Sequence, residues 1–194
     1  MVAHNEDWCT ESKDDICILK KFIWDLVILE IFYYNTFWGN SISVNSNGII
    51  QAVNTLTYSK KQKYGIPRNV ISRWLSETIN PIKDFKKFKK FKRSAWYNHN
   101  FISSKWLIWD LESSSKKQII LNVTSPFIHT NHCLSNLNSR EENNNLFSTF
   151  ERYEYAKKNI KKTFSVSDCK KLMHNNVSEK NILFLVKILF PVLY

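Results

Sequence analysis

The stretch Tyr64-Gly-Ile-Pro-Arg-Asn-Val-Ile-Ser-Arg-Trp-Leu75 joins turn-forming residues to a helical repeat. Gly65 can take a positive φ, and Pro67 has the fixed φ that suits the first turn of a helix. After Pro67 the apolar residues recur with helical spacing, at Val70, Ile71, Trp74 and Leu75. The stretch therefore predicts a tight turn followed by a short amphipathic helix.

The polar face of this predicted helix has a composition that suits a DNA major groove. It consists of Asn69, Ser72, Arg73 and Ser76, which also follow helical spacing. Arginine can bond guanine through two hydrogen bonds, asparagine can do the same to adenine, and serine can bond base edges or phosphates. We therefore expect Arg68, Asn69, Ser72 and Arg73 to face the groove.

Two segments together resemble a known DNA-binding family. Ile49-Ile-Gln-Ala-Val53 and the segment from Lys60 to Ser76 resemble the pipsqueak-type helix-turn-helix, the N-terminal unit of centromere protein B and of Tigger/pogo transposases. The resemblance covers about residues 45–80. It implies a first helix over Ile49–Leu56, a second over about 59–64, and a recognition helix from about 67 to 78.

The charge distribution favours a polyanionic partner. The chain of 194 residues has a net charge of +11, and residues 60–93 carry twelve Lys and Arg residues against Glu77 and Asp84. A basic segment beside a predicted recognition helix is typical of nucleic-acid binders, and a Lys/Arg-rich run can direct a protein to the nucleus. The residues expected to hold phosphates are Lys60, Lys61, Lys63, Lys86, Lys87, Lys89, Lys90, Lys92 and Arg93.

The predicted fold class is mainly α, with a small three-helix, homeodomain-like helix-turn-helix unit inside a partly disordered chain. We divide the chain into an acidic segment 1–44 with an apolar helix over 16–38, the helix-turn-helix 45–80, a basic linker 81–95, and residues 96–194. The last region is expected to hold helical segments, an Asn/Ser-rich loop and one short strand at Ile119–Val123.

The apolar segments 16–38 and 182–194 leave two other interpretations open. Both segments are interrupted by charges or are too short for a bilayer span of about 20 apolar residues. They therefore favour helices that face a protein, and membrane partners are not expected. The alternative function is nevertheless a membrane-associated or protein-interaction role. A further alternative is an orphan product without selected function, because the chain has only 3 Gly and 4 Pro, far below usual usage.

The motifs do not indicate catalysis, a cofactor or a metal. Transposase chemistry needs carboxylates around two metal ions, and the sequence arrangement does not group Asp110, Glu112, Glu151, Glu154 and Asp168. His129, His132 and Cys133 form a His-x-x-His-Cys run, which we interpret as three incidental loop residues because zinc sites usually need four regularly spaced ligands. The sequence-based conclusion is a non-enzymatic, transposon-derived, nuclear protein that binds double-stranded DNA.

Overall fold

The dominant element of the chain is an antiparallel sheet. The computed structural model describes residues 1–7, 14–34, 40–56, 64–137, 147–160, 165–174 and 185–190. Within these ranges seven strands pair in the order of the sequence, from β2 to β8. They are β2 Ile16–Ile23, β3 Leu26–Tyr33, β4 Asn40–Asn45, β5 Ile49–Thr55, β6 Tyr97–Ser103, β7 Ile108–Ser113 and β8 Gln118–Val123.

A second, two-stranded sheet and several helices complete the described structure. Strand β1 (Val2–Asp7) pairs antiparallel with β9 (Leu185–Phe190). The helices are α1 Arg68–Ser76, α2 Pro81–Lys87, α3 Phe147–Asn159 and α4 Val166–His174, and a 3₁₀ turn, Phe88–Lys90, follows α2. The predicted mainly α fold is wrong, because most of the described elements are antiparallel strands.

The predicted apolar helix over 16–38 is a β-hairpin where the structure describes it. Strands β2 and β3 pair from Ile16↔Tyr33 to Ile23↔Leu26, around a turn in which Trp24 has a φ of 54°. The segment is rich in β-branched and aromatic residues, which favour strands. Apolar residues recur at spacings that satisfy both a helix and a nearly continuous buried strand, and sheet pairing decided between them.

The predicted first helix of the helix-turn-helix is strand β5. Ile49 to Thr55 pairs with β6 over its whole length, and Ile50 to Ala52 also pairs with β4. The predicted second helix, over about 59–64, lies almost wholly outside the described residues. Strand β4 runs through the expected boundary between residues 44 and 45.

Helix α1 is present where the sequence predicts a helix, but its buried face is different. Ile71, Ser72, Leu75 and Ser76 are buried, whereas Val70 is 52% exposed and Trp74 is 39% exposed. The small serine side chains let the helix lie close to the sheet. Asn45, at the end of β4, donates hydrogen bonds to the carbonyls of Ser76 and Thr78, at 3.0 and 2.8 Å, and so fixes the end of the helix.

Gly65 serves a close backbone approach rather than a turn with positive φ. A Cβ at this position would lie 2.6 Å from the carbonyl carbon of Arg93 and 2.7 Å from the nitrogen of Ser94. Ile66 and Arg93 form a parallel bridge beside it. Glycine is therefore required because two backbone segments touch here.

Each face of the large sheet has its own apolar core. On one face Ile49, Phe101 and Leu111 pack against residues of the helical region, namely Ile71, Leu75, Phe85 and Phe88. On the other face the core consists of Ile31, Ile42, Ile50, Ala52 and Ile102, with Val2 of β1 packed against it. Helices α1 and α2 and the small sheet therefore lie on opposite faces of the large sheet.

The segment expected to be a basic linker is folded around Arg93. This guanidinium is 1% exposed and donates to the carbonyls of Ser114, Phe88, Phe91 and Lys117, at 2.8, 2.7, 3.1 and 3.1 Å. Because it holds the end of the 3₁₀ turn against the β7–β8 connection, it is not available to a phosphate. Burial also lowers the pKa of this guanidinium.

The C-terminal apolar segment is a strand where the structure describes it. Residues 185–190 form β9, and the rest of the predicted 182–194 helix lies outside the described ranges. Within those ranges, no helix has the length and apolar character of a bilayer span.

Replacing Arg93 should destabilise the fold. Arg93→Met leaves four carbonyls without their charged donor, two of them in buried hydrogen bonds, and we expect a loss of about 3 kcal/mol in the free energy of unfolding. Urea unfolding followed by circular dichroism measures the loss. Lys92→Met is the control because Lys92 is exposed, and it should change stability by less than about 0.5 kcal/mol. Equal unfolding midpoints for the two variants would contradict the role of Arg93.

Candidate functional site

Polar side chains form a buried row on the sheet face that carries Val2. The register pairs Asn98 with Glu112 and Asn100 with Asp110 across β6 and β7. Residues two apart in a strand share a face, so these four side chains project together. Asp110, Glu112 and Asn98 are 0% exposed and Asn100 is 7% exposed.

The asparagines of this row form hydrogen bonds that lead to Asp110. Asn100 donates to the side-chain oxygen of Asn98 at 2.7 Å, and Asn54 of β5 donates to the same oxygen at 3.4 Å. Asn98 donates in turn to Oδ1 of Asp110. Oδ2 of Asp110 and Oδ1 of Asn100 are buried without a hydrogen-bond partner in the described part of the chain.

The segment after β8 covers the row and supplies His129. Its Nε2 lies 3.4 Å from Oε1 of Glu112 and 3.9 Å from Oδ1 of Asp110. One ligand atom from each of Asp110, Glu112 and His129 lies within 4.8 Å of the other two. These are the residues of the described chain that can hold a metal ion together.

Glu112 also anchors the covering segment. Its two carboxylate oxygens accept hydrogen bonds from the backbone of Leu134 and Ser135 and from the hydroxyl of Ser135. Burial tends to raise the pKa of Glu112, but the hydrogen bonds from His129, Ser135 and Leu134 outweigh it, so its pKa is lowered. Glu112 is therefore a carboxylate in the folded protein.

Asp110 is in the opposite situation. Burial raises the pKa of Asp110 to about 6, and the neighbouring Glu112 carboxylate contributes to the rise, while His129 and Asn98 oppose it. A carboxyl group with a pKa near neutrality and a specific charge partner is a common feature of functional sites.

Two further residues of the covering segment connect it to other elements. Asn131 donates from its side chain to the carbonyl of Thr55 at 3.0 Å and accepts from Arg152 of α3 at 2.8 Å. Nδ1 of His132 lies 3.1 Å from the hydroxyls of both Thr130 and Thr149. Asn54, Thr55, Asn98 and Asn131 consequently meet at one end of the sheet.

The cysteines with resolved pKa shifts are not activated thiolates. Burial, then Glu112 and Asp110, raise the pKa of Cys133 to about 12, and burial raises the pKa of Cys169. Cys17 lies on β2, at the sheet edge opposite β8. Cys9 lies outside the described residues.

The residues predicted to face a DNA groove do not form such a surface. Ser72 is buried, and Arg68 donates to the carbonyl of Asn40 at 3.1 Å and lies over the ring of Tyr97. Asn69 and Arg73 are half-buried on α1.

The predicted phosphate contacts are also dispersed. Arg93 is buried, as described above. Lys60, Lys61 and Lys63 lie outside the described residues, whereas the exposed lysines are Lys86, Lys87, Lys89, Lys90 and Lys92. The structure does not gather the predicted residues into one site, and DNA contacts by single side chains stay predictions.

The sequence reasoning missed the row because it expected helical segments, and not strands, in the part of the region 96–194 that precedes Ile119. The signal was the alternation of Asn98-His-Asn100 and Asp110-Leu-Glu112 within segments rich in aromatic and β-branched residues. The same reasoning set aside His129 as incidental, although it completes the cluster.

Solved structures of low sequence identity share this arrangement of layers. Penicillin V acylase from Agrobacterium tumefaciens is similar with a TM-score of 0.56 and 11% identity, over 88% of this chain and 65% of that chain. The Caenorhabditis elegans ortholog of N-acylethanolamine-hydrolyzing acid amidase is similar with a TM-score of 0.63 and 9% identity, over 96% of this chain and 86% of that chain. The fold is therefore of the Ntn-hydrolase-like type. This chain spans less than two thirds of the penicillin V acylase.

Within that class the family follows from the sequence. The family model of acyl-coenzyme A:6-aminopenicillanic acid acyl-transferase matches residues 1–185, so the chain belongs to that family. No curated protein matches the chain by sequence.

These findings overturn the functional predictions made from the helix-turn-helix pattern. The resemblance to the pipsqueak type, the transposon-derived DNA-binding function, double-stranded DNA as partner and the absence of an enzymatic role are all wrong. The membrane-associated and protein-interaction alternatives lose their basis as well, because the apolar segments 16–38 and 182–194 are strands where the structure describes them. The family match contradicts the orphan alternative. Nuclear localisation stays a prediction.

The environment of His132 predicts a loss of stability in acid. Burial, followed by the charge of His129, lowers the pKa of His132 to about 4, against an ordinary value of 6.5. Between pH 6.5 and about pH 4, His132 binds a proton in the unfolded chain but not in the folded chain. The stability therefore falls as the pH falls through this window, by up to about 1.4 kcal/mol per pH unit.

His132→Gln should remove this pH-dependent part of the stability. The difference in unfolding free energy between wild type and variant, measured by urea unfolding from neutral to acidic pH, should narrow as the pH falls. Burial also lowers the pKa of His99, to about 3, but that residue is present in both proteins and its effect cancels. A constant difference across the window would show that His132 does not carry the effect.

Proposed function

We propose that this protein transfers an acyl group from a small-molecule amide or thioester to water or to an amine. The observation that carries the proposal is the family match over residues 1–185. The fold supports it, because both structural relatives have names that describe acyl-amide cleavage. In the proposed reaction, the acyl carbon forms a bond to the oxygen of water or the nitrogen of the acceptor amine, and its bond to the departing nitrogen or sulfur breaks. The proton lost by the attacking water or amine passes to the departing amine or thiol.

The end of the sheet at which Asn54 and Asn131 meet is the proposed acyl-binding site. Acyl transfer passes through an intermediate with negative charge on the former carbonyl oxygen, and preorganised N–H donors stabilise it. A carboxamide has two donor hydrogens, and the side chain of Asn131 uses one on the carbonyl of Thr55. The other hydrogen is the donor proposed for the substrate oxygen.

Contacts on both sides hold the carboxamide of Asn131 in place. Arg152 donates to its oxygen at 2.8 Å, and the hydroxyl of Thr149 accepts from its backbone nitrogen at 2.7 Å. A donor that is fixed before the reaction costs little reorganisation when charge develops on the substrate. Asn54, half-buried at the end of β5, is the second proposed donor.

The assay should compare acyl donors of different chemistry. Penicillin V, an N-acylethanolamine and an acyl-coenzyme A are incubated with the full chain at acidic and neutral pH, and the released acid or transferred acyl group is measured by mass spectrometry. The proposal expects product from at least one donor. No acyl product from any of the three would refute it.

Removing the proposed donor should mainly lower kcat. We expect Asn131→Ala to reduce kcat by about 100- to 1,000-fold, the usual effect of losing one oxyanion donor, with a smaller change in KM. Asn122→Ala is the matched control, since Asn122 is exposed on β8, and it should retain wild-type rates. Unfolding curves of both variants separate a catalytic effect from loss of fold. Equal kcat values for Asn131→Ala and wild type would remove Asn131 from the site.

A further inference from the structure

The geometry points to a divalent metal site formed by Asp110, Glu112 and His129, which would bind Zn²⁺ or a similar first-row cation. The two carboxylates lie two residues apart on β7 and share a face, and the imidazole comes from the segment that covers them. This inference is independent of the acyl-transfer proposal, because it concerns the binding of an ion and not a reaction.

The separations between donor atoms suit one small cation. Nε2 of His129 lies 3.4 Å from Oε1 of Glu112 and 3.9 Å from Oδ1 of Asp110. Ligands at about 2.0–2.1 Å from a tetrahedral Zn²⁺ lie roughly 3.3–3.4 Å from one another. The two contacts of His129 are therefore close to coordination distances, and the two carboxylates, whose ligand atoms lie within 4.8 Å of each other, would close around the ion.

The orientation of His129 indicates which nitrogen is free for the metal. Its Nδ1 lies 2.5 Å from the carbonyl oxygen of Thr130, so Nδ1 carries the proton and donates it. A cation bound at Nε2 would take the place of the proton through which this nitrogen bonds Glu112 in the absence of the ion. A backbone carbonyl on the second nitrogen is the usual support of a metal-bound histidine.

The carboxylates are also held as metal ligands commonly are. Glu112 is fixed by the backbone of Leu134 and Ser135, and Asn98 donates to Asp110. Independently of the cluster's spacing, Oδ2 of Asp110 is buried and has no hydrogen-bond partner among the described residues. Oδ1 of Asn100, which pairs with Asp110 in register, is in the same condition. Both are oxygen atoms that a bound cation would satisfy.

The charge balance gives the same result. With a protonated imidazole the buried cluster has a net charge of −1, and with a neutral imidazole −2. His129 is the only basic side chain within ion-pair distance of either carboxylate in the described ranges. A divalent cation makes the neutral-imidazole cluster neutral, which removes much of the cost of burying two carboxylates.

The donor set also selects the class of cation. Imidazole suits Zn²⁺ and its first-row neighbours, whereas Mg²⁺ and Ca²⁺ favour sites made of oxygen atoms alone. The thiol of Cys133 is outside the assigned set because it is protonated, with a pKa raised to about 12. Binding of the ion would tie the covering segment to β7.

The test uses the full chain, stripped with a chelator and titrated with ZnCl₂ in a calorimeter without substrate. We expect one Zn²⁺ per chain for wild type and for His132→Gln, which changes a histidine of the same segment that lies outside the cluster. His129→Gln and Asp110→Asn should bind Zn²⁺ at least about 10-fold more weakly, since even changes beyond the ligands have effects of this size. Zn²⁺ should raise the Tm of wild type, and Mg²⁺ should not.

Failure of wild type to bind Zn²⁺, or equal affinity in all four proteins, overturns the site. If the cluster variants do not fold, the Co²⁺ absorption spectrum of wild type decides instead. Nitrogen and oxygen donors alone give no thiolate charge-transfer band, and such a band would assign the ion to a cysteine and refute this donor set. Loss of acyl-transfer activity has no bearing on either measurement.

Discussion

The antiparallel register of β6 with β7 is the constraint on which the candidate site depends. It pairs Asn98 with Glu112 and Asn100 with Asp110 on one face. A shift of one residue in either strand would turn that strand's polar side chains to the other face, where Phe101 and Leu111 pack against the helices. The two apolar cores and the polar row therefore specify the same register, and each depends on the others.

Burial gives the polar row its chemical character. Two carboxylates in water would both ionise at neutral pH and interact weakly, whereas here they lie in an environment in which charge is costly. Hydrogen bonds from His129, Ser135 and Leu134 keep the pKa of Glu112 low, whereas burial and the Glu112 charge raise the pKa of Asp110. The covering segment supplies most of the donors, so the ionisation of the site and the position of that segment are coupled.

The basic residues of the chain have two different roles that the sequence does not distinguish. Arg93 ends a run of lysines, yet it is enclosed by four carbonyls that only a long, multiply donating side chain can satisfy together. The lysines before it remain exposed, and Phe85 and Phe88, which repeat between them, are core residues of the sheet face. The alternation of phenylalanine and lysine suggested a nucleic-acid-binding surface. In the structure it belongs to a helix that packs against strands on one side and faces solvent on the other.

The sequence by itself determined two elements that depend on local physics: the helix that begins after Pro67 and the short strand β8. The positive φ predicted for Gly65 is wrong, because a glycine is required there by contact with residues 93–94. Only the tertiary structure decided that Ile16–Tyr33 and Ile49–Thr55 are strands, because a strand is stabilised by partners distant in sequence and an apolar run alone fits either state. The site was decided in the same way, since Asp110, Glu112 and His129 are brought together by sheet register and by a segment that folds back over it, and neither is encoded in the spacing of those three residues.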